Sequence, residues 1–192
     1  MYSYKDFVGI DVFSDVGTKD AILLAAGAVV QACHEMATNK CLSAYAIVRP
    51  PGHHAKRAMA NGFCFMNNVA IGARYLQMEH VSFFNVKKIL LVDFDVHHGD
   101  GTQDIFYDDD SVMFISVHSS EIFPKDSLKE AEHIGDKKGK GHNVNVNLPI
   151  NFEDDDLSAV WDYVVLPLAM QFEPEIILVS AGFDAGISFV LF

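Results

Sequence analysis

The chain has 192 residues, half of which are hydrophobic, and this is enough for one domain with a substantial core. Its net charge of -12 argues against DNA or RNA as a direct partner, because phosphate binding needs clustered lysine and arginine. The acidic surface could attract a basic protein tail, although many soluble proteins are acidic without such a partner. Three cysteines without a CxxC pair favour a reduced intracellular compartment. The sequence shows no apolar run of membrane-spanning length and no signal peptide.

Hydrophobic periodicity predicts alternating helices and strands. Helices are expected from Thr18, acting as a cap, to about Met36, from about Asn67 to Gln77, and over 156–172 with an interruption at Pro167. Strands are expected over 42–48, 87–92, 112–117, 143–148 and 175–180, and a long loop over 119–142. This alternation favours a mostly parallel α/β sheet with helices on both faces, in a single domain over 1–192.

Carboxylates and imidazoles follow the strand 87–92 directly, in the segment Asp93-Phe94-Asp95-Val96-His97-His98-Gly99-Asp100-Gly101-Thr102. Alternate side chains of an extended chain share a face, so Asp93, Asp95 and His97 are expected to point the same way. Open α/β sheets bind ligands beyond the carboxyl ends of their strands. Oxygen and imidazole ligands together suit zinc or a similar transition metal. The alternative is a solvated polar loop.

Two further strand ends carry candidate site residues. The segment Arg49-Pro50-Pro51-Gly52-His53-His54-Ala55 presents adjacent histidines, and Asp184 follows the last predicted strand. Near pH 7 a neutral histidine is the usual general base, so the pair fits that role. Solvation at the surface is the alternative for the pair, and an ordinary loop role is the alternative for Asp184.

These strand ends together can supply a hydrolytic metal site. Asp95, His97 and Asp184 provide three ligands, and such sites keep a fourth position open for water. Asp93 and Asp100 are the remaining carboxylates, suited to orienting the histidine pair.

The two aromatic residues in Gly62-Phe63-Cys64-Phe65 have two interpretations. Phe63 and Phe65 are most simply core residues. The sharper interpretation places them at the rim of a pocket, where Gly62 allows close approach of the backbone.

Four segments together resemble the zinc-dependent histone deacetylase family, in particular its class II members and the bacterial acetylpolyamine amidohydrolases. They are the segments 49–55, 62–65 with Asn67-Asn68, 93–102, and Ser180-Ala181-Gly182-Phe183-Asp184-Ala185. The resemblance runs from about residue 18 to 185. It implies a three-layer arginase-like fold with a mainly parallel sheet, incomplete in this chain.

The resemblance also implies a role for individual residues and ions. One Zn²⁺, with Fe²⁺ as an alternative, is implied together with a structural K⁺. The implied residues are the metal ligands Asp95, His97 and Asp184; the catalytic histidines His53 and His54, with His54 the general base; the carboxylates Asp93 and Asp100 behind them; the channel walls Gly62, Phe63 and Phe123; and, for K⁺, Asp93, Ser116 and main-chain oxygens near Asp95 and His97.

The activity implied by the resemblance is hydrolysis of the acetyl amide of acetyl-lysine in histones or other proteins. Two alternatives stay open: a small acetylated amine as substrate, or a catalytically silent fragment that binds a metal or a partner. Acetylated proteins such as histone tails are the implied partners, with a corepressor or chaperone as a further one. No nucleic acid or membrane partner is expected, and the nucleus or cytoplasm is the expected location.

The sequence departs from the family pattern at both ends, which suggests truncation. The family's Gly-Gly-Tyr motif does not follow Asp184, and its first strand and early substrate loop are not matched. Since one oxyanion donor is worth about 10²–10³ in rate, we expect turnover to be weak or undetectable. We also expect the apolar residues 176–179 to lie near an uncapped sheet edge, making the chain poorly soluble or dependent on a partner.

Overall fold

A computed structural model describes residues 12–78, 86–125 and 127–185. The chain forms two compact units, Met1–Lys87 and Lys88–Phe192. The expectation of a single domain over 1–192 stays a prediction, because each unit is compact in itself.

The first unit contains two helices that pack against each other, α1 (Thr18–Ala37) and α2 (Asn68–Gln77). Both helices lie where the apolar periodicity predicts them. His34 Nδ1 lies 2.8 Å from the Tyr75 hydroxyl and links the pair. Thr18 is not the cap, because the helix begins at this residue. Its hydroxyl lies 3.0 Å from the Asp15 carboxylate, to which it donates a hydrogen bond.

Helix α1 corrects one expectation from the sequence. With 20 residues and a mean hydropathy of 1.2, it is long and apolar enough to cross a membrane by length and composition alone. The helix packs against α2 and buries Ala25, Ala26 and Cys33, but only 17% of its apolar window is buried, and Leu24 is 73% exposed.

The predicted strand over 42–48 is wrong, because the structure assigns no strand to this segment. Leu42 and Ile47 are 101% and 88% exposed. A strand is stabilised by a hydrogen-bonded neighbour, and among the described residues none pairs with this segment. Apolar and β-branched composition alone therefore gave a false strand here.

The second unit is built on a four-stranded sheet in which every neighbouring pair is parallel. The predicted parallel α/β class is confirmed, and the strands match four of the five predicted ones. The strand order is β3-β2-β1-β4. The elements of this unit are β1 (Ile89–Asp93), α3 (Asp100–Phe106), β2 (Val112–Ser119), β3 (Asn143–Leu148), α4 (Asp154–Val160), α5 (Leu166–Phe172) and β4 (Ile176–Ser180).

Helices α4 and α5 cover one face of this sheet. Alternate residues of β1 and β2 form a core with Val160, Val165 and Phe172 from the helices. The predicted single helix is divided by a π-helical turn, Trp161–Val165, directly before Pro167. Proline lacks an N–H and cannot complete an α-helical hydrogen bond, so the interruption occurs where the sequence predicts it.

The strand order positions the candidate site. The chain adds β2 and β3 on one side of β1 and then returns to add β4 on the other side. The direction of winding therefore reverses between β1 and β4. In open parallel sheets, the crevice at the carboxyl ends of such a strand pair is the usual ligand site.

Strand β4 is one of the two outer strands of the sheet within the described residues, as expected for the segment 176–179. Its residues Ile177 and Val179 are 48% and 46% exposed. Open strand edges with apolar side chains promote association.

We expect the 192-residue chain to associate with increasing concentration, and Ile177→Lys to shift its sedimentation coefficient toward that of a monomer. The matched control is Ile150→Lys, since Ile150 is 56% exposed but lies outside the sheet. Equal effects of both substitutions would refute association through β4.

Candidate functional site

The chain leaves the sheet immediately after β1 and curls. The Asp93 carboxylate accepts a hydrogen bond from the Asp95 N–H at 3.2 Å, and the Asp95 carboxylate accepts one from the His97 N–H at 2.9 Å. Each bond spans two residues, the pattern by which aspartate side chains stabilise turns. The prediction that Asp93, Asp95 and His97 share a face of an extended chain is therefore wrong. Asp93 is fully buried, while Asp95 and His97 are partly exposed.

The turn brings Asp95 and His97 together with Asp184, which follows β4. One ligand atom from each of the three residues lies within 4.8 Å of the others. His97 Nδ1 lies 2.8 Å from Asp95 Oδ1 and 3.0 Å from Asp184 Oδ2. The Val96 N–H donates to Asp184 Oδ1 at 3.1 Å. The three predicted ligands thus meet at the carboxyl ends of β1 and β4.

The charges of this group fit a divalent cation. Burial lowers the pKa of His97, but hydrogen bonds to Asp184 and Asp95 and the charges of both carboxylates outweigh it and raise the pKa to about 9. At neutral pH a positive imidazolium therefore lies between two carboxylates. Two carboxylates and one imidazole are also a donor set that zinc accepts, once the imidazole has lost its proton. A metal bound there would replace the charge of that proton.

Gly182 leaves room for the Asp95 side chain. A Cβ built at position 182 would lie 2.5 Å from Asp95 Cβ and would overlap its carboxylate. A glycine at this position of the β4 loop is therefore what allows Asp95 to reach Asp184.

The Gly182→Ala substitution should consequently weaken metal binding. Overpacking typically costs about 1–3 kcal/mol, which is a loss of roughly 5- to 150-fold in affinity. Zinc titration against a chromophoric chelator measures this effect. Gly27→Ala is the matched control, since a Cβ at Gly27 has no atom within 4 Å. Unchanged zinc affinity in Gly182→Ala would contradict the role assigned to the glycine.

The predicted supporting residues Asp93, Ser116 and Asp100 are buried in the second unit. Asp93 and Ser116 are register partners across β1 and β2, so the structure brings these two candidate K⁺ ligands side by side. Asp100 is the first residue of α3. Their roles toward K⁺ and toward the histidine pair stay predictions.

The histidine pair lies in the first unit and is not solvated at the surface. His53 and His54 are 8% and 4% exposed, and their ring centroids are 3.9 Å apart. Asn68 Nδ2 donates to the Pro50 carbonyl at 3.2 Å, and Asn67 Nδ2 donates to the Ala55 carbonyl at 3.3 Å. The start of α2 therefore fixes both ends of the loop that carries the pair.

Gly62 and Phe63 form a tight turn in the first unit. The backbones of Asn61 and Cys64 exchange two hydrogen bonds, at 3.0 and 2.8 Å, and both central residues have positive φ, 49° and 63°. This is the pattern of a type I′ turn, which is unusual for a bulky residue such as Phe63. Phe63 is 57% exposed, so its assignment to the core is wrong. Phe63 and Phe65 line an open pocket of about 330 Å³ in the first unit, and their role in a substrate channel stays a prediction.

Phe123, the predicted facing wall of the channel, belongs to the second unit. Its ring centroid lies 6.4 Å from that of His97, with the rings at 66°. Phe123 thus borders the candidate metal site directly.

Three residues have structural roles that the sequence motifs did not predict: Asn67, Asn68 and Gly182. The role of the asparagines could have been predicted from their position directly before a predicted helix. Asparagine at this position commonly caps the helix and forms hydrogen bonds with neighbouring backbone groups. The signal for Gly182 was its position two residues before Asp184, in a loop after a strand.

Comparisons with known proteins show the family and fold of the chain. A sequence model of the histone deacetylase domain matches residues 5–188. Histone deacetylase 5 of Arabidopsis thaliana is 42% identical over 181 residues, which cover 92% of this chain and 27% of that protein. Polyamine deacetylase HDAC10 of Danio rerio is 42% identical over 183 residues, which cover 92% of this chain and 26% of that protein. The crystal structure of the HDA15 HD domain matches with a TM-score of 0.86 and 36% identity, over 95% of this chain and 51% of that chain.

The chain therefore belongs to the histone deacetylase family, a family of deacetylases that generally depend on a metal. The motif resemblance is confirmed, and the parallel α/β fold agrees with that of the solved domain. The chain spans about a quarter of the length of these two curated relatives and about half of the solved domain.

Proposed function

We propose that this chain carries the metal-binding part of a zinc-dependent deacetylase that hydrolyses the acetyl amide of acetyl-lysine. The observation that carries the proposal is the convergence of Asp95, His97 and Asp184 at the carboxyl ends of β1 and β4. The three residues would hold Zn²⁺, with Fe²⁺ as the alternative. When bound, such an ion polarises a substrate carbonyl and lowers the pKa of water.

The proton transfers in the proposed mechanism belong to the histidine pair. His54 takes a proton from the attacking water, and His54 and His53 then protonate the leaving lysine amine. Their burial supports this role, because a desolvated imidazole exchanges protons with substrate in preference to bulk water. Asp93 and Asp100 orient the pair, and Asp93 and Ser116 hold K⁺. Gly62, Phe63 and Phe123 form the walls of a channel for the acyl-lysine side chain.

Acetate release from an acetyl-lysine peptide tests this proposal. We expect weak zinc-dependent release by the chain, which is lost in His54→Ala while zinc affinity is unchanged. His34→Gln is the control, because His34 lies in the same unit and its hydrogen bond joins α1 to α2. Equal release by His54→Ala and by the wild-type chain would refute the proposal.

A small acetylated amine is a second candidate substrate, favoured by the similarity to the polyamine deacetylase of Danio rerio. The net charge of -12 suits a polyamine as well as a basic histone tail. Comparing kcat/KM for N-acetylspermidine and for the peptide decides between them. A corepressor or chaperone partner and a location in the nucleus or cytoplasm stay predictions.

A further inference from the structure

The loop between β2 and β3 is held to the sheet by side-chain amides. Every second residue at the start of β3 is an asparagine, and each of the three donates from Nδ2 into this loop. Asn145 reaches the carbonyls of Leu128 and Glu130 at 3.0 and 3.2 Å. Gln103 of α3 donates to the same Leu128 carbonyl at 2.7 Å. The remaining contacts are Asn143 Nδ2 to the His133 carbonyl at 2.6 Å and Asn147 Nδ2 to Glu130 Oε2 at 2.7 Å.

Lys129 lies at the centre of this held segment and is only 5% exposed. Its carbonyl accepts a hydrogen bond from His118 Nε2 at 3.1 Å. Its ammonium group donates to the Ile122 carbonyl at 3.0 Å. Within the part of the chain that the structure describes, no carboxylate forms an ion pair with this ammonium group. Burying a lysine beside a neutral carbonyl costs free energy, so this contact needs an explanation beyond stability.

The Ile122 carbonyl belongs to the peptide bond that leads into Phe123. The contact from Lys129 therefore fixes the backbone immediately before the aromatic ring that borders His97. The other side of this turn is fixed by the Ser119 N–H, which donates to the Val96 carbonyl at 2.9 Å. Lys129 therefore ties the Phe123 turn to the segment held by β3.

We propose that Lys129 is a positioning residue that holds Phe123 beside His97 through the Ile122 carbonyl, and so shapes the wall of the acyl-lysine channel. The consequence for substrate rests on the proposed function, whereas the positioning itself does not. A lysine suits the task because its long stem crosses the turn inside the protein while its head group supplies the donor.

Nuclear Overhauser effects between the Phe123 and His97 ring protons test the positioning without any need for activity. We expect them in the wild-type chain and in Lys125→Met, whose lysine lies in the same loop but is exposed. In Lys129→Met they should fall to less than half. Full retention in Lys129→Met would overturn the proposal. If Lys129→Met does not fold, Lys129→Gln replaces it, because its side chain is polar but shorter. The same loss of the Overhauser effects is expected in that variant.

Hydroxamate binding to the zinc-loaded chain tests the consequence for the channel. Octanohydroxamate extends past a chelated metal, and acetohydroxamate does not. We expect Lys129→Met to weaken the binding of octanohydroxamate roughly tenfold and that of acetohydroxamate less than twofold. In the double variant with Phe123→Ala, Lys129→Met should cause no further loss of affinity beyond that of Phe123→Ala alone. Additive losses would show that Lys129 does not act through Phe123. If the wild-type chain bound neither compound, the proposed function would fail, while the ring contacts would still decide the positioning role.

Discussion

In the Asp95→Ala variant, we expect the affinity for Zn²⁺ to fall by roughly 10²–10⁴-fold. The substitution removes one ligand and leaves His97 and Asp184 as an incomplete pair. Removing one partner of a partly buried charged group costs about 3–5 kcal/mol, which converts to that loss of affinity. Competition with a chromophoric zinc chelator at pH 7.5 measures it.

The matched control for this experiment is Asp155→Ala. Asp155 is an exposed carboxylate in the first turn of α4 and should have no effect on zinc affinity. Equal affinity of the wild-type chain and Asp95→Ala would show that metal binds elsewhere or not at all, and the assignment of the three ligands would fall.

The second large effect concerns acid stability. Burial lowers the pKa of His118 to about 4, and the nearby charge of Lys129 adds to this against opposing hydrogen bonds. In the unfolded chain the histidine pKa is near 6.5, so between pH 6.5 and 4 the unfolded state binds one more proton than the folded state. The free energy of unfolding therefore decreases as the pH falls through this window, by up to about 3 kcal/mol.

Urea unfolding of the chelator-treated chain between pH 7 and 4.5 measures this dependence. The single tryptophan, Trp161, lies in the second unit and reports on its unfolding. We expect His118→Asn to flatten the dependence, while His133→Gln, at a half-buried histidine, should leave it in place. His97 acts in the opposite sense: its raised pKa stabilises the metal-free fold below pH 6.5, and this contribution is lost as the pH rises through about 9. An unchanged slope in His118→Asn would contradict the assignment.

The sequence predicted those parts of the structure that depend on local pattern. The buried strands β1 and β2 begin with apolar runs, over 89–92 and 112–115, and helix α1 carries apolar residues at helical spacing. The positions of the candidate metal ligands followed from one rule, that sites lie beyond the carboxyl ends of parallel strands. Each of these predictions needed only residues close together in the chain.

Sequence reasoning failed where a distant contact decides the outcome. The segment 42–48 has strand composition but no paired neighbour among the described residues. A local turn was missed as well: the His97 N–H donates to the Asp95 carboxylate, which an extended-strand argument cannot anticipate. No sequence pattern predicts that Lys129 is buried, because a lysine in a polar loop is normally exposed to solvent.

The return of the chain from β3 to β4 determines when the site can form during synthesis. The hydrogen bond from Val96 to Asp184 closes a loop of 88 residues, which costs roughly 4 kcal/mol in chain entropy. A ribosome adding 5–20 residues per second produces Asp184 roughly 4–18 s after Val96. During that interval Asp95 and His97 are present without their third partner. Under the proposed metal role, tight binding of an ion would wait until β4 has docked on β1, so metal capture would follow assembly of this sheet.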